Sequence, residues 1–187
     1  MPCVVIFCYV LSESCVAMYA NYYLNKILHA PEAWAIYAIS GFWGMMGLGR
    51  LTCAMLPERI SYERLVALLC AAGGGAMLLQ HWQTHWLASL ICFAANGLVF
   101  AGAWPLIVGL TANRNPHYSG TVIGILVSVG SLGCVAAPPM MNLLLERLPV
   151  SWVFPAAAAP LLVSIALVLW LARDPLPVAL QTVPEAV

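Results

Sequence analysis

The chain has 187 residues, of which 63% are hydrophobic, with seven basic and seven acidic side chains that cancel. So few charges cannot cover the surface of a soluble domain of this length, and zero net charge gives no footprint for nucleic acid. The apolar residues come in long blocks rather than amphipathic stripes, so the chain reads as an all-α polytopic membrane protein.

Span one covers residues 2–28, enough to cross ~30 Å of hydrocarbon at ~1.5 Å per residue with some tilt. Met1-Pro2-Cys3 lacks the positive start of a signal peptide. Lys26, His29, Pro31 and Glu32 mark the first turn. Span two covers 33–56 and is ended by Pro57-Glu58-Arg59. Along it Ser40, Gly44, Gly47, Ala54 and Glu58 follow one another at helical steps and share one face. Small residues on one face let a second helix backbone approach. Glu58, Arg59, Glu63 and Arg64 then form a charged turn.

Span three, residues 65–80, carries Gly73-Gly74-Gly75. No Lys or Ser/Thr follows them, so they predict close helix packing rather than a phosphate loop. In the next turn, His81 and His85 stand four apart, which is half of a metal site. No carboxylate or further His lies near in sequence, so they read as anchors at the membrane interface. Span four, 86–110, repeats a small residue or proline every four positions: Gly97, Ala101, Pro105 and Gly109. The stretch 111–117, TANRNPH, reads as an aqueous loop.

Span five, 118–145, sets Gly120, Gly124, Ser128 and Ser131 on one face, which predicts a helix–helix contact. Glu146, Arg147 and Pro149 turn the chain into span six, 152–172. Residues 1–172 are thus one six-helix transmembrane bundle, and 173–187 read as a disordered tail. The seven cysteines lie in apolar stretches without a C-x-x-C pair, and read as small hydrophobes. If the Arg59/Arg64 loop is cytoplasmic, alternation puts Arg114 and Arg173 on that side, and Lys26 and Arg147 opposite. That distribution predicts a multi-pass protein of the cell membrane with both termini cytoplasmic.

Two charges fall within the spans, Glu13 and Arg50. Glu13 lies ~16 Å along its helix, near the bilayer midplane. A carboxyl at that depth faces a cavity or a partner. It either binds and releases a proton during a cycle or, as a neutral acid, ties two helices by a hydrogen bond. Asn21 and Tyr22, two turns on, extend the same polar face. Arg50 lies near the inner end of span two, either anchored to headgroups by its long stem or held in a gating ion pair. Asn96, Phe100 and Trp104 step by four; they line a cavity for a sugar or other polar solute, or they simply pack. There is no G-x-S-x-G and no H-E-x-x-H, and all four His lie at span ends or in turns. An enzyme is therefore not expected, nor a cofactor or metal.

With these residues laid out, the chain resembles the C-terminal six-helix half of a major facilitator superfamily transporter over nearly its whole length. The family marks the loop after this span with a Gly, an Asp-Arg pair, then Gly and basic residues. Here Ala54 stands for the first Gly, Glu58-Arg59 for the pair, Ser61 for the second Gly, and Arg64 for the basic run. Tyr9-Val10-Leu11-Ser12-Glu13 with Tyr23-Leu24 is similar to the seventh helix of the branch containing fucose permease and related sugar transporters. Glu13 takes the acidic position there, while Tyr19 and Asn21 replace a Trp and a Pro. Gly41-Phe42-Trp43 and Gly49-Arg50-Leu51 are similar to the eighth helix of that branch.

The resemblance implies secondary transport of a small polar solute held between two six-helix halves and exposed to each side by rocking. It implies a partner as well, either a missing N-terminal half or a second copy. Proton coupling would run through Glu13. The competing expectation is a non-transporting membrane subunit or remnant that only packs against a partner half.

Overall fold

The computed structural model describes residues 1–55 and 61–173, and all its regular elements are helical. Helix α1 (Pro2–Tyr22) runs on through a π-turn, Tyr23–Ile27. Then come α2 (Glu32–Met55), α3 (Tyr62–Leu79), α4 (Trp86–Phe100), α5 (Ala103–Arg114), α6 (Ser119–Arg147), α7 (Val150–Ala157) and α8 (Ala159–Leu171). A helix is the form in which a single segment satisfies its own backbone in hydrocarbon, which is why long apolar blocks fold this way.

Among the described residues, five stretches are long and apolar enough to cross a membrane: Pro2–Ile27, Tyr62–Trp82, Trp86–Arg114, Pro116–Arg147 and Val150–Leu171. The 24-residue α2 matches them in length, but its glycines, tryptophans and Arg50 lower its hydropathy. It lies along α4 as the second rod. The broken rods α4–α5 and α7–α8 each correspond to one predicted span. The protein is an all-α polytopic membrane protein, as the composition implies.

Helix α1 is the hub. It packs against α2, α4, α5, α6, α7 and α8. Within its most apolar window 72% is buried, against 22% for the span built on α6, so α1 is central and α6 peripheral. Hydroxyls tie it to its neighbours: Ser12 Oγ donates to the Ala157 carbonyl at 2.9 Å, and Ser164 Oγ to the Val5 carbonyl at 3.1 Å. Glycine lets backbones touch at two seams. A Cβ on Gly97 would lie 2.0 Å from the Phe42 carbonyl oxygen, so α4 meets α2 there without side chains between them. A Cβ on Gly133 would lie 2.7 Å from the Phe7 carbonyl oxygen, which brings α6 onto α1.

Several expectations are corrected. The Gly120–Gly124–Ser128 face of α6 is exposed, and a Cβ on either glycine would meet nothing within 4 Å. The face of α6 that packs carries Leu126, Gly130, Gly133, Ala137 and Met141. On α2, Ser40, Gly44 and Gly47 are likewise exposed, and the helix packs through Ala35, Ala38, Phe42, Met46 and Gly49. Small residues at helical spacing mark a face but do not say whether its neighbour lies within the same chain. The stretch 111–117 is not wholly a loop: α5 runs to Arg114, and Thr111 is buried with its Oγ1 donating to the Ile107 carbonyl at 2.7 Å. Gly73 packs as expected, under the Phe100 ring, whereas Gly75 faces open space. The side chain of Ala54, all of Glu58 and Arg59, and the tail beyond Arg173 lie outside the described residues.

Candidate functional site

Glu13 sits midway along the central helix and is 8% exposed. Tyr9 stands one turn before it, four residues back and so on the same face. The Tyr9 ring is fully buried, edge-on to Phe100 with centroids 5.7 Å apart. Its hydroxyl donates to the Phe100 carbonyl at 2.7 Å, and the Glu13 carboxyl stands one helical turn on along the same face. Arg50 of α2 acts electrostatically on both Tyr9 and Glu13. Its Nη2 lies 3.4 Å from Met46 Sδ, one turn back on its own helix. Arg50 is thus a distant counter-charge to Glu13 rather than a salt-bridge partner.

The remaining predicted residues spread out. Phe100 is buried, its ring over Gly73 and its carbonyl bonded to Tyr9. Trp104 lies against Gly130 of α6: a Cβ there would come 2.7 Å from the indole. Asn96 is fully buried, its Nδ2 donating to the Cys92 carbonyl at 3.0 Å, while its Oδ1 accepts no bond among the described residues. Tyr22 is 45% exposed and meets Tyr19 edge-on, and Asn21 is half-buried. Arg64, in the first turn of α3, is exposed.

The two histidines of the third turn diverge. His81 lies tilted against Trp152 with ring centroids 4.3 Å apart, whereas His85 caps α4 by accepting from the Leu87 amide at 3.2 Å. A crevice of about 310 Å³ opens between α3 and α7–α8. Its lining, Cys70, Gly74, Gly75, Leu78, Leu161 and Ile165 among others, gives a polar solute nothing to bind.

A family model, that of the Major Facilitator Superfamily, matches residues 3–186. That match covers almost the entire chain. The chain belongs to the major facilitator superfamily. Among curated proteins the chain has no match. Members of this superfamily are membrane transporters, and a general role in membrane transport follows for this chain.

In this superfamily member, the sequence left one feature unread. Its sequence neighbours put Glu63 in a charged turn, yet it lies in the first turn of α3 and is fully buried. Arg114, at the end of α5, donates from Nη2 to Glu63 Oε1 at 2.9 Å and to the Leu171 carbonyl of α8 at 3.1 Å. One guanidinium therefore joins the same-side ends of α3, α5 and α8. No local spacing announces a pair 51 positions apart. Tyr9, by contrast, was within reach of the sequence, because its four-residue step from Glu13 is a helical neighbour relation.

Proposed function

We propose that the chain forms one half of a secondary transporter that moves a small polar solute together with protons carried by Glu13. The observation that carries this reading is the Glu13 carboxyl, buried in the central helix of a superfamily member beside Tyr9 and within the field of Arg50. An ionisable group kept at such depth is expensive unless it works. The resemblance of 9–13 and 41–51 to the fucose permease branch supports a sugar as the solute. Two open glycine faces, Gly44 with Gly47 on α2 and Gly120 with Gly124 on α6, support a second six-helix body docking there, either an N-terminal half or another copy. The arginine distribution supports both termini on the cytoplasmic side of the cell membrane. The work done is translocation, without chemistry on the solute.

The test is uptake of labelled sugars and other polar metabolites into proteoliposomes carrying this chain, alone and with the second body, under an inward proton gradient. Accumulation above that of protein-free vesicles supports transport. Absence of uptake for every solute in both preparations leaves the chain a packing subunit.

A further inference from the structure

The fourth span is interrupted: α4 ends at Phe100 and α5 begins at Ala103. Pro105 causes part of this, because it has no amide proton for the Ala101 carbonyl and its ring crowds that group. Carbonyls at a broken turn inside a membrane protein need a donor from elsewhere. For Phe100 the donor is the Tyr9 hydroxyl, from a residue 91 positions earlier. That hydroxyl has one proton to give. With Glu13 neutral, the carboxylic acid has a proton of its own, and Tyr9 is left to donate to Phe100. With Glu13 ionised, the carboxylate becomes the stronger acceptor for the same O–H.

We propose that Tyr9 is a proton-linked switch on the fourth span: it holds the broken turn through the Phe100 carbonyl while Glu13 is neutral, and turns its O–H to Glu13 when that group ionises. Phe100 then loses its donor, and α4 is released to move against α5. The proton that leaves Glu13 goes to water, while the Tyr9 proton stays on Tyr9 and only changes acceptor. Other groups acting on the pair are Arg50 of α2, on both members, and Cys70 of α3, on Tyr9. Among the described residues, α4 to α8 bring no charged group to either. Tyr9 is a positioning residue here. The inference rests on the reading of Glu13 as the proton-carrying group.

Infrared difference spectroscopy tests it. The full chain, labelled isotopically at the carbonyl carbon of phenylalanine, is placed in lipid nanodiscs and stepped from acidic to alkaline pH. The Phe100→Leu variant identifies the Phe100 band, and the carboxyl band of Glu13 reports ionisation. The Phe100 band is expected to rise in wavenumber with the midpoint at which the Glu13 band disappears. In Tyr9→Phe, which keeps the buried ring, the band should stay at the high position at every pH. In Glu13→Gln it should stay at one position at every pH. A Phe100 band that titrates in Tyr9→Phe as in the parent, or that stays still while Glu13 ionises, overturns the switch. The spectrum needs no transport. A moving band without proton-driven uptake therefore sinks the functional reading and leaves the switch, and uptake with a fixed band does the reverse.

Discussion

Arg114 reaches Glu63 at 2.9 Å, and the carboxylate it meets is fully buried. A buried charge is tolerable only while its partner stays, so removing one member costs far more than the pair contributes in sum. Arg114→Met is expected to lower stability by about 3 kcal/mol, at the lower end of the range for broken buried pairs because the arginine is 22% exposed. The double variant Arg114→Met with Glu63→Gln should recover part of that loss. Thermal unfolding in detergent measures both; a double variant no more stable than Arg114→Met would deny the coupling.

Of the glycines, Gly97 makes the tightest approach, with the Phe42 carbonyl oxygen 2.0 Å from where a Cβ would sit. Backbone cannot step aside as a flexible side chain can. Gly97→Ala should therefore destabilise by the upper part of the ~1–3 kcal/mol typical of overpacking. Gly109→Ala, with open space around it, should leave the melting temperature unchanged or raised. Equal effects of the two on the melting temperature would contradict the α2–α4 seam.

The open face of α6 makes a paired prediction. Gly124→Leu has room in the isolated chain and should melt like the parent. If the second six-helix body docks on that face, the same variant should lose co-purification with it. A lowered melting temperature of the isolated chain would place the contact inside the bundle after all.

These cases also mark what a sequence makes legible. Hydropathy blocks locate rods, because hydrocarbon thickness fixes how many apolar residues a helix needs. Glu13 stands out in the sequence because a carboxyl inside such a block has no cheap explanation. The packed faces of α2 and α6 differ from those the sequence suggests, because the spacing of Gly44, Gly47, Gly120 and Gly124 marks a stripe without naming its neighbour. Glu63 and Arg114 read as turn residues in the sequence because each stands at a span end, where charges are usually solvated. Only the fold brings α3 and α5 close enough to bury them together. The break after Phe100 was hinted at by Pro105, but its donor, Tyr9, comes from another helix.

The account turns on Glu13 as a carrier of protons, and the most direct test is uphill solute accumulation in vesicles by Glu13→Gln. Glutamine keeps the size and polarity of the neutral acid but has no proton to release. The variant, assembled with the proposed second six-helix body, should still bind solute and exchange it across the membrane at equal concentrations, while accumulation driven by a proton gradient falls to the level of vesicles without a gradient. Proton-driven accumulation equal to that of the parent would contradict the account and leave Glu13 a structural hydrogen-bonder.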